Sequence, residues 1–81
     1  MDEAGIEIGL NEVPNGGRAE ILALKDTRTV NGRLAAFGFV PGATVYVIQN
    51  YSYAPLIVAV ASARVAVGRG EAGKIRARRV V

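Results

Sequence analysis

The chain has 81 residues, of which about half are hydrophobic, and a net charge of +3. It contains no cysteine and no histidine, which excludes disulfides, thiolate metal sites and the Ser-His-Asp and Cys-His mechanisms of nucleophilic catalysis. A chain of this length forms one small domain that buries only about 60% of its unfolded surface. Its core must therefore be efficient or be completed by a partner, which includes a weak homodimer.

The N-terminal quarter of the chain reads as a lead-in followed by a turn and a strand. Residues 1–8 mix acidic and small residues and predict a flexible lead-in to a single domain over residues 9–81. Pro14–Gly17 is a cluster of turn-forming residues. The alternating segment Arg18–Leu24 that follows is short and begins after glycines, which favours a strand over a helix.

A short helix is predicted from about Arg28 to Phe37, after the candidate N-caps Asp26 and Thr27. The apolar residues Val30, Leu34 and Phe37 recur at helical spacing and would lie on one face. Asn31-Gly32 is a hairpin signal inside this segment, so a hairpin is the alternative interpretation. The helix is favoured because it agrees with both the apolar spacing and the glycine that follows.

The helix is predicted to end sharply and to be followed by a turn. Gly38 stands where a left-handed residue closes a helix, and Phe39 can then fold back onto the last helical turn. Pro41-Gly42 is a turn signal, because proline presets one φ and glycine permits a positive φ at the next position.

The rest of the chain alternates strands with turns. Strands are predicted at Ala43–Gln49, Leu56–Ala61, Arg64–Val67 and Lys74–Val81. Alternation places Val45 with Val47, and Val65 with Val67, on one face of their strands, and Ile75 and Ala77 are predicted to face the core. About five short strands and one short helix predict a mainly β protein, closed into a small SH3-like β-barrel.

The glycine-rich stretch Gly68–Gly73 contains G-x-G-x-x-G, but too few residues follow it for the helix and second strand of a dinucleotide fold. It is interpreted as a turn with a single helical turn before the last strand. The carboxylates form no close-spaced set outside the N-terminus, so no cofactor, metal site or catalytic residue is predicted.

The last third of the chain is basic. Six residues, together with two tyrosines on the preceding loop, Tyr51 and Tyr53, compose a candidate single-strand nucleic-acid surface: Arg64, Arg69, Lys74, Arg76, Arg78 and Arg79. The other interpretation is a solvated strand face that protects a sheet edge. The modest net charge favours the solvated face.

The central stretch of the chain resembles the central motif of the FeoA family. The resemblance is carried by Arg33-Leu34, Gly38-Phe39, Pro41-Gly42 and the alternating Val45 and Val47. It implies an SH3-like barrel and a non-enzymatic, cytoplasmic accessory protein of ferrous iron uptake. The implied partner is the FeoB transporter, in its cytoplasmic or its membrane part. The longest apolar run, Ala54–Ala61, is too short to insert into a membrane.

The family also includes domains at the C-terminus of metal-dependent repressors. One alternative function is therefore that of a freestanding domain that binds a transcription regulator. A second alternative is a small barrel that binds nucleic acid. The transition-metal binding associated with the family is not expected to reside in this chain. The predicted partner-binding residues are those of the helix, the turn and the tyrosine loop: Arg33, Phe39, Val40, Pro41, Tyr51 and Tyr53. Phe39 has a second interpretation as the residue that caps the helix end.

Overall fold

A computed structural model describes residues 6–24 and 31–80 of the chain. It contains six strands and two short helices, with a 3-10 turn at Leu10–Glu12. The strands are β1 Glu7–Gly9, β2 Arg18–Leu24, β3 Thr44–Gln49, β4 Leu56–Val60, β5 Ala63–Val67 and β6 Ile75–Val80. The helices are α1 Asn31–Ala36 and α2 Arg69–Lys74, each with six described residues. Among residues 6–24 and 31–80, no helix is long and apolar enough to cross a bilayer.

The strands form one antiparallel sheet in the order β1-β6-β2-β3-β4-β5. The predicted mainly β class and small SH3-like fold are confirmed. The predicted count of about five strands is one too low, because β1 was not foreseen. β1 has only three residues and pairs with β6, and so short a segment gives almost no alternation to detect.

The core lies on one face of the curled sheet and is lined mainly by aliphatic residues. Ile75 and Ala77 are buried as predicted, and the two pairs that alternation places on one face, Val45 with Val47 and Val65 with Val67, are buried with them. Leu10 and Val13, next to the 3-10 turn, and Ala72 of α2 are buried with them. Burial of each large aliphatic side chain contributes about 1.5–3 kcal/mol, which makes this packing the main source of stability.

The helix region differs from the prediction in the burial of Phe37. In the described part of the chain α1 spans Asn31–Ala36, so the hairpin alternative is wrong, while the predicted first turn, Val30 and the candidate N-caps lie outside the described residues. Leu34 is buried as predicted, but Phe37 is 41% exposed. The helix ends at Ala36, so Phe37 lies beyond the regular turn that would have carried it inward.

Several other boundaries also differ. Glu7 and Ile8, assigned to the flexible lead-in, form part of β1, whereas residues 1–5 lie outside the described part. The predicted strands on either side of the β4–β5 hairpin end at Ala61 and begin at Arg64. In the structure β4 ends at Val60, β5 begins at Ala63, and the hairpin turns at Ala61-Ser62, where Ala61 has φ +52°. The G-x-G-x-x-G stretch forms α2, a complete six-residue helix rather than a single turn.

Candidate functional site

A shallow apolar groove lies beside the C-terminal end of α1. Its volume is about 360 Å³, and it is lined by Leu24, Ala35, Phe39, Val40 and Pro41. Three of the predicted partner-binding residues therefore lie together in it, whereas Leu24 and Ala35 were not foreseen. Their contribution depends on β2 and α1 meeting in space, which no local pattern of the sequence reports.

The groove exists because α1 ends in a Schellman motif. The Gly38 N–H donates to the carbonyl of Ala35 at 2.9 Å, and the Phe39 N–H donates to that of Leu34 at 3.1 Å. Gly38 has φ +104°, which glycine adopts without a steric penalty. This reversal drives Phe39 into the core, where it is 1% exposed, and leaves Val40 on the surface at 44%.

The Pro41-Gly42 turn fixes the opposite wall of the groove. The Ala43 N–H donates to the Val40 carbonyl at 3.0 Å, and Gly42 has φ +93°, the pattern of a type II turn. The turn is held against β2 by two further bonds, from Gly42 N–H to the Ile21 carbonyl and from Ile21 N–H to the Ala43 carbonyl, both 2.8 Å. The predicted turn is confirmed, and these bonds hold the wall of the groove that Pro41 forms against β2.

Arg33 does not line the groove but ties α1 to α2. Its Nη2 atom lies 3.1 Å from Oε1 and 3.4 Å from Oε2 of Glu71. The same Glu71 Oε1 accepts a hydrogen bond from the Gly68 N–H at 3.2 Å, so one carboxylate caps α2 and holds α1. Both side chains are partly exposed, and such a pair contributes no more than about 1 kcal/mol.

The two predicted tyrosines lie on a loop that other residues hold in place. The Tyr51 and Tyr53 rings stack with centroids 5.7 Å apart and an interplanar angle of 8°. Tyr53 is 82% exposed. Arg69 Nη1 donates to the carbonyls of Tyr51 and Ala54 at 2.7 and 3.1 Å. An exposed aromatic pair on a fixed loop is a ready contact surface, since little conformational entropy is lost on binding.

Asn50 secures the start of the same loop. Its Nδ2 atom donates to the carbonyls of Asn11 and Val13 at 2.9 and 2.7 Å, and its backbone N–H donates to Oδ1 of Asn15. Neither Asn50 nor Arg69 was predicted to support the loop. Their partners are distant in sequence, and only the composition of the loop was a visible signal.

The basic residues of the last third are largely engaged within the protein. Arg76 Nε lies 2.8 Å from Oε2 of Glu7, and Arg78 Nη2 lies 2.6 Å from Oε1 of Glu20. With Arg69 bound to loop carbonyls, these contacts favour the solvated-face interpretation over a nucleic-acid surface. Within residues 6–24 and 31–80, no group of three or more acidic residues converges in a way that could hold a metal ion.

The fold and the groove together define a small SH3-type domain with a preformed apolar surface. A family model described as the FeoA domain matches residues 8–79. Because this match covers nearly the whole chain, the chain belongs to the FeoA family, which is involved in ferrous iron transport.

Solved structures agree with this assignment. The crystal structure of an iron uptake regulatory protein, FeoA, is 27% identical, covers 93% of this chain and 100% of its own, and superimposes with a TM-score of 0.85. The solution structure of FeoA from Chlorobium tepidum is also 27% identical, with 91% and 71% covered and a TM-score of 0.84.

A manganese-dependent transcriptional repressor shares the fold, with 19% identity, a TM-score of 0.79 and coverage of 93% of this chain but 42% of its own. The fold therefore also occurs within a longer regulatory protein. No curated protein matched the sequence.

Proposed function

We propose that this protein is a non-enzymatic, cytoplasmic accessory protein of ferrous iron uptake that acts by docking to a FeoB-type transporter. The observation that carries the proposal is the preformed groove of about 360 Å³ at the end of α1, in a chain of the FeoA family. Phe39 forms the buried floor of the groove and Val40 its exposed wall. An apolar side chain of a partner could pack on Phe39 and against Val40.

The groove suits docking better than catalysis. The lining residues within the described part of the chain are all apolar, and these supply neither a general base nor a nucleophile. SH3-type domains commonly bind extended segments through apolar surface grooves. The tyrosine loop provides a second contact surface, and Arg33 holds α1, which forms one wall of the groove, in its position relative to α2.

The proposal is tested by titrating isotope-labelled protein with the GTP-binding cytoplasmic domain of a cognate FeoB. Amide shifts or line broadening should centre on Ala35, Phe39, Val40 and the tyrosine loop. Val40→Asp should weaken binding about tenfold, because a charge at the groove wall would be desolvated on docking.

A matched control is Ile6→Asp, which places the same charge at an exposed aliphatic residue outside the groove. This control should bind like the original protein. Absence of any shift at several hundred micromolar transporter domain, or equal losses from both variants, would contradict the docking of this groove to that domain.

A second candidate function is favoured by the shared fold with the manganese-dependent repressor. In that case the same groove would receive a segment of a transcription regulator. Co-purification of the protein with a regulator from cells, lost in Val40→Asp and kept in Ile6→Asp, together with no binding to the transporter domain, would select this function.

A further inference from the structure

A second exposed surface lies on the outer face of the sheet, on the side of the strands away from the core. Strand register aligns four residues across it: Arg18 lies opposite Tyr46, Tyr46 opposite Ala59, and Ala59 opposite Arg64. We call these four residues the outer row. Their chain neighbours Ala19, Val45 and Val65 are buried, so alternation places the outer row on the outer face.

The outer row combines an aromatic ring with two arginines. Tyr46 is 49% exposed, and the guanidinium carbon of Arg18 lies 6.0 Å from the centroid of its ring, within the range of a cation–π contact. Ala59, between Tyr46 and Arg64, carries only a methyl group, which leaves a shallow step in the surface. Ile48 and Ile57 are the apolar neighbours of this step along β3 and β4.

The charge is distributed unevenly along the chain. Residues 27–70 contain four arginines and no acidic residue, whereas the rest of the chain contains six basic and seven acidic residues. Ion pairs with carboxylates join β6 to its neighbours, through Glu7–Arg76 and Glu20–Arg78. Strands β3, β4 and β5 have no carboxylate of their own, so Arg64 is not neutralised within its part of the sheet.

We propose that the outer row binds an acidic segment of a partner protein. Arg18 and Arg64 stand three strands apart, about 14 Å at roughly 4.8 Å per strand, and would each face a carboxylate. An aliphatic or aromatic side chain between those carboxylates would pack on Tyr46 and over Ala59. The apolar Ile48 and Ile57 favour a protein segment over a nucleic acid, whose phosphates and sugars would leave them uncovered.

This surface shares no residue with the groove beside α1, so the proposal stands or falls independently of docking to the transporter. It is tested with labelled protein and three probes: a short peptide that alternates glutamate with leucine, the same peptide with lysine in place of glutamate, and oligothymidine. The glutamate peptide should shift the amides around Arg18, Tyr46, Ala59 and Arg64. The lysine peptide should shift none of them.

Two charge reversals and one control locate the contact. Arg64→Glu and, separately, Arg18→Glu should each weaken binding of the glutamate peptide about tenfold, since an attraction becomes a repulsion. Lys74→Glu makes the same charge change at an exposed residue of α2 and should change affinity less than about twofold, an effect of net charge alone. The two reversals lie on different strands, so one remains informative if the other alters the spectrum of the free protein.

Several results would overturn the proposal. Tighter binding of oligothymidine at the same amides would assign the surface to nucleic acid, and shifts of these amides on dilution of the protein alone would assign it to a second copy. An equal loss in Lys74→Glu would show unspecific charge attraction. No shift with millimolar glutamate peptide would show that the surface does not bind such a segment.

Discussion

Arg69 and Glu71 lie two residues apart in α2 and hold two different parts of the protein. Arg69 Nη1 donates to the carbonyl of Tyr51 at 2.7 Å, whereas Glu71 Oε1 accepts from Arg33 Nη2 at 3.1 Å. One helix of six residues thus sets the position of the tyrosine loop and of α1, whose end forms the groove. A partner that touches both surfaces would meet them at a distance fixed by α2.

Removal of the Arg69 side chain should release the tyrosine loop. Arg69→Ala is expected to lower the free energy of unfolding by about 1–2 kcal/mol, because two charge-assisted hydrogen bonds to backbone carbonyls are lost. Denaturant unfolding measures the change, and amide hydrogen exchange at residues 51–54 reports loop opening. Arg64→Ala, on the exposed side of β5, should stay within about 0.5 kcal/mol; an equal loss in both variants would contradict the role of Arg69.

The two phenylalanines beside α1 should respond very differently to truncation. Phe39 is 1% exposed, so Phe39→Ala should cost about 3–5 kcal/mol and leave the groove without its floor. Phe37 is 41% exposed, and Phe37→Ala should cost less than about 1 kcal/mol. Urea denaturation of both variants checks the order. A larger loss from Phe37→Ala would mean that Phe37, as the helical spacing suggested, belongs to the core.

Alanine substitutions at two glycines with positive φ, Gly42 and Gly38, distinguish the cost of backbone strain from the cost of a steric contact. Gly42 has open space where a Cβ would stand, so Gly42→Ala should cost about 1–2 kcal/mol from its left-handed backbone alone. At Gly38 the added Cβ would also lie 3.2 Å from Cγ2 of Val60. Gly38→Ala should therefore be the more destabilising of the two in thermal unfolding. The reverse order would show that the contact with Val60 relaxes without cost.

The β4–β5 hairpin offers a stabilising substitution. Ala61 occupies φ +52°, a region that costs residues with a Cβ about 1–2 kcal/mol. Ala61→Gly removes this strain but increases the entropy of the unfolded chain, so a net gain of about 0.5–1 kcal/mol is expected. Calorimetric unfolding checks it, and Ala59→Gly, inside β4, should destabilise the protein instead.

Local chemistry made part of this fold predictable. The period-two pattern of β3 grouped Val45 and Val47 on one face of the strand, and Gly38 with Pro41-Gly42 set the helix end and the turn. Phe39, Val40 and Pro41 could be singled out because they belong to that same reversal.

Other features required knowledge of distant contacts. β1 exists only because β6 pairs with it, and Phe37 could not be distinguished from Phe39 until the last residue of α1 was known. Leu24 and Ala35 reach the groove through tertiary packing, and Arg69 supports a loop 15 to 18 residues earlier in the chain. No pattern within a short window of the sequence contains that information.

The position of β6 also governs the order in which the protein can be completed during synthesis. β6 lies between β1 and β2 and pairs with both, over Glu7–Gly9 and Arg18–Leu24. β1 and β2 precede β6 in translation, so neither can form this pairing until β6 has been translated. Since such long-range pairing slows folding, the nascent chain carries these two unpaired strand edges until β6 emerges.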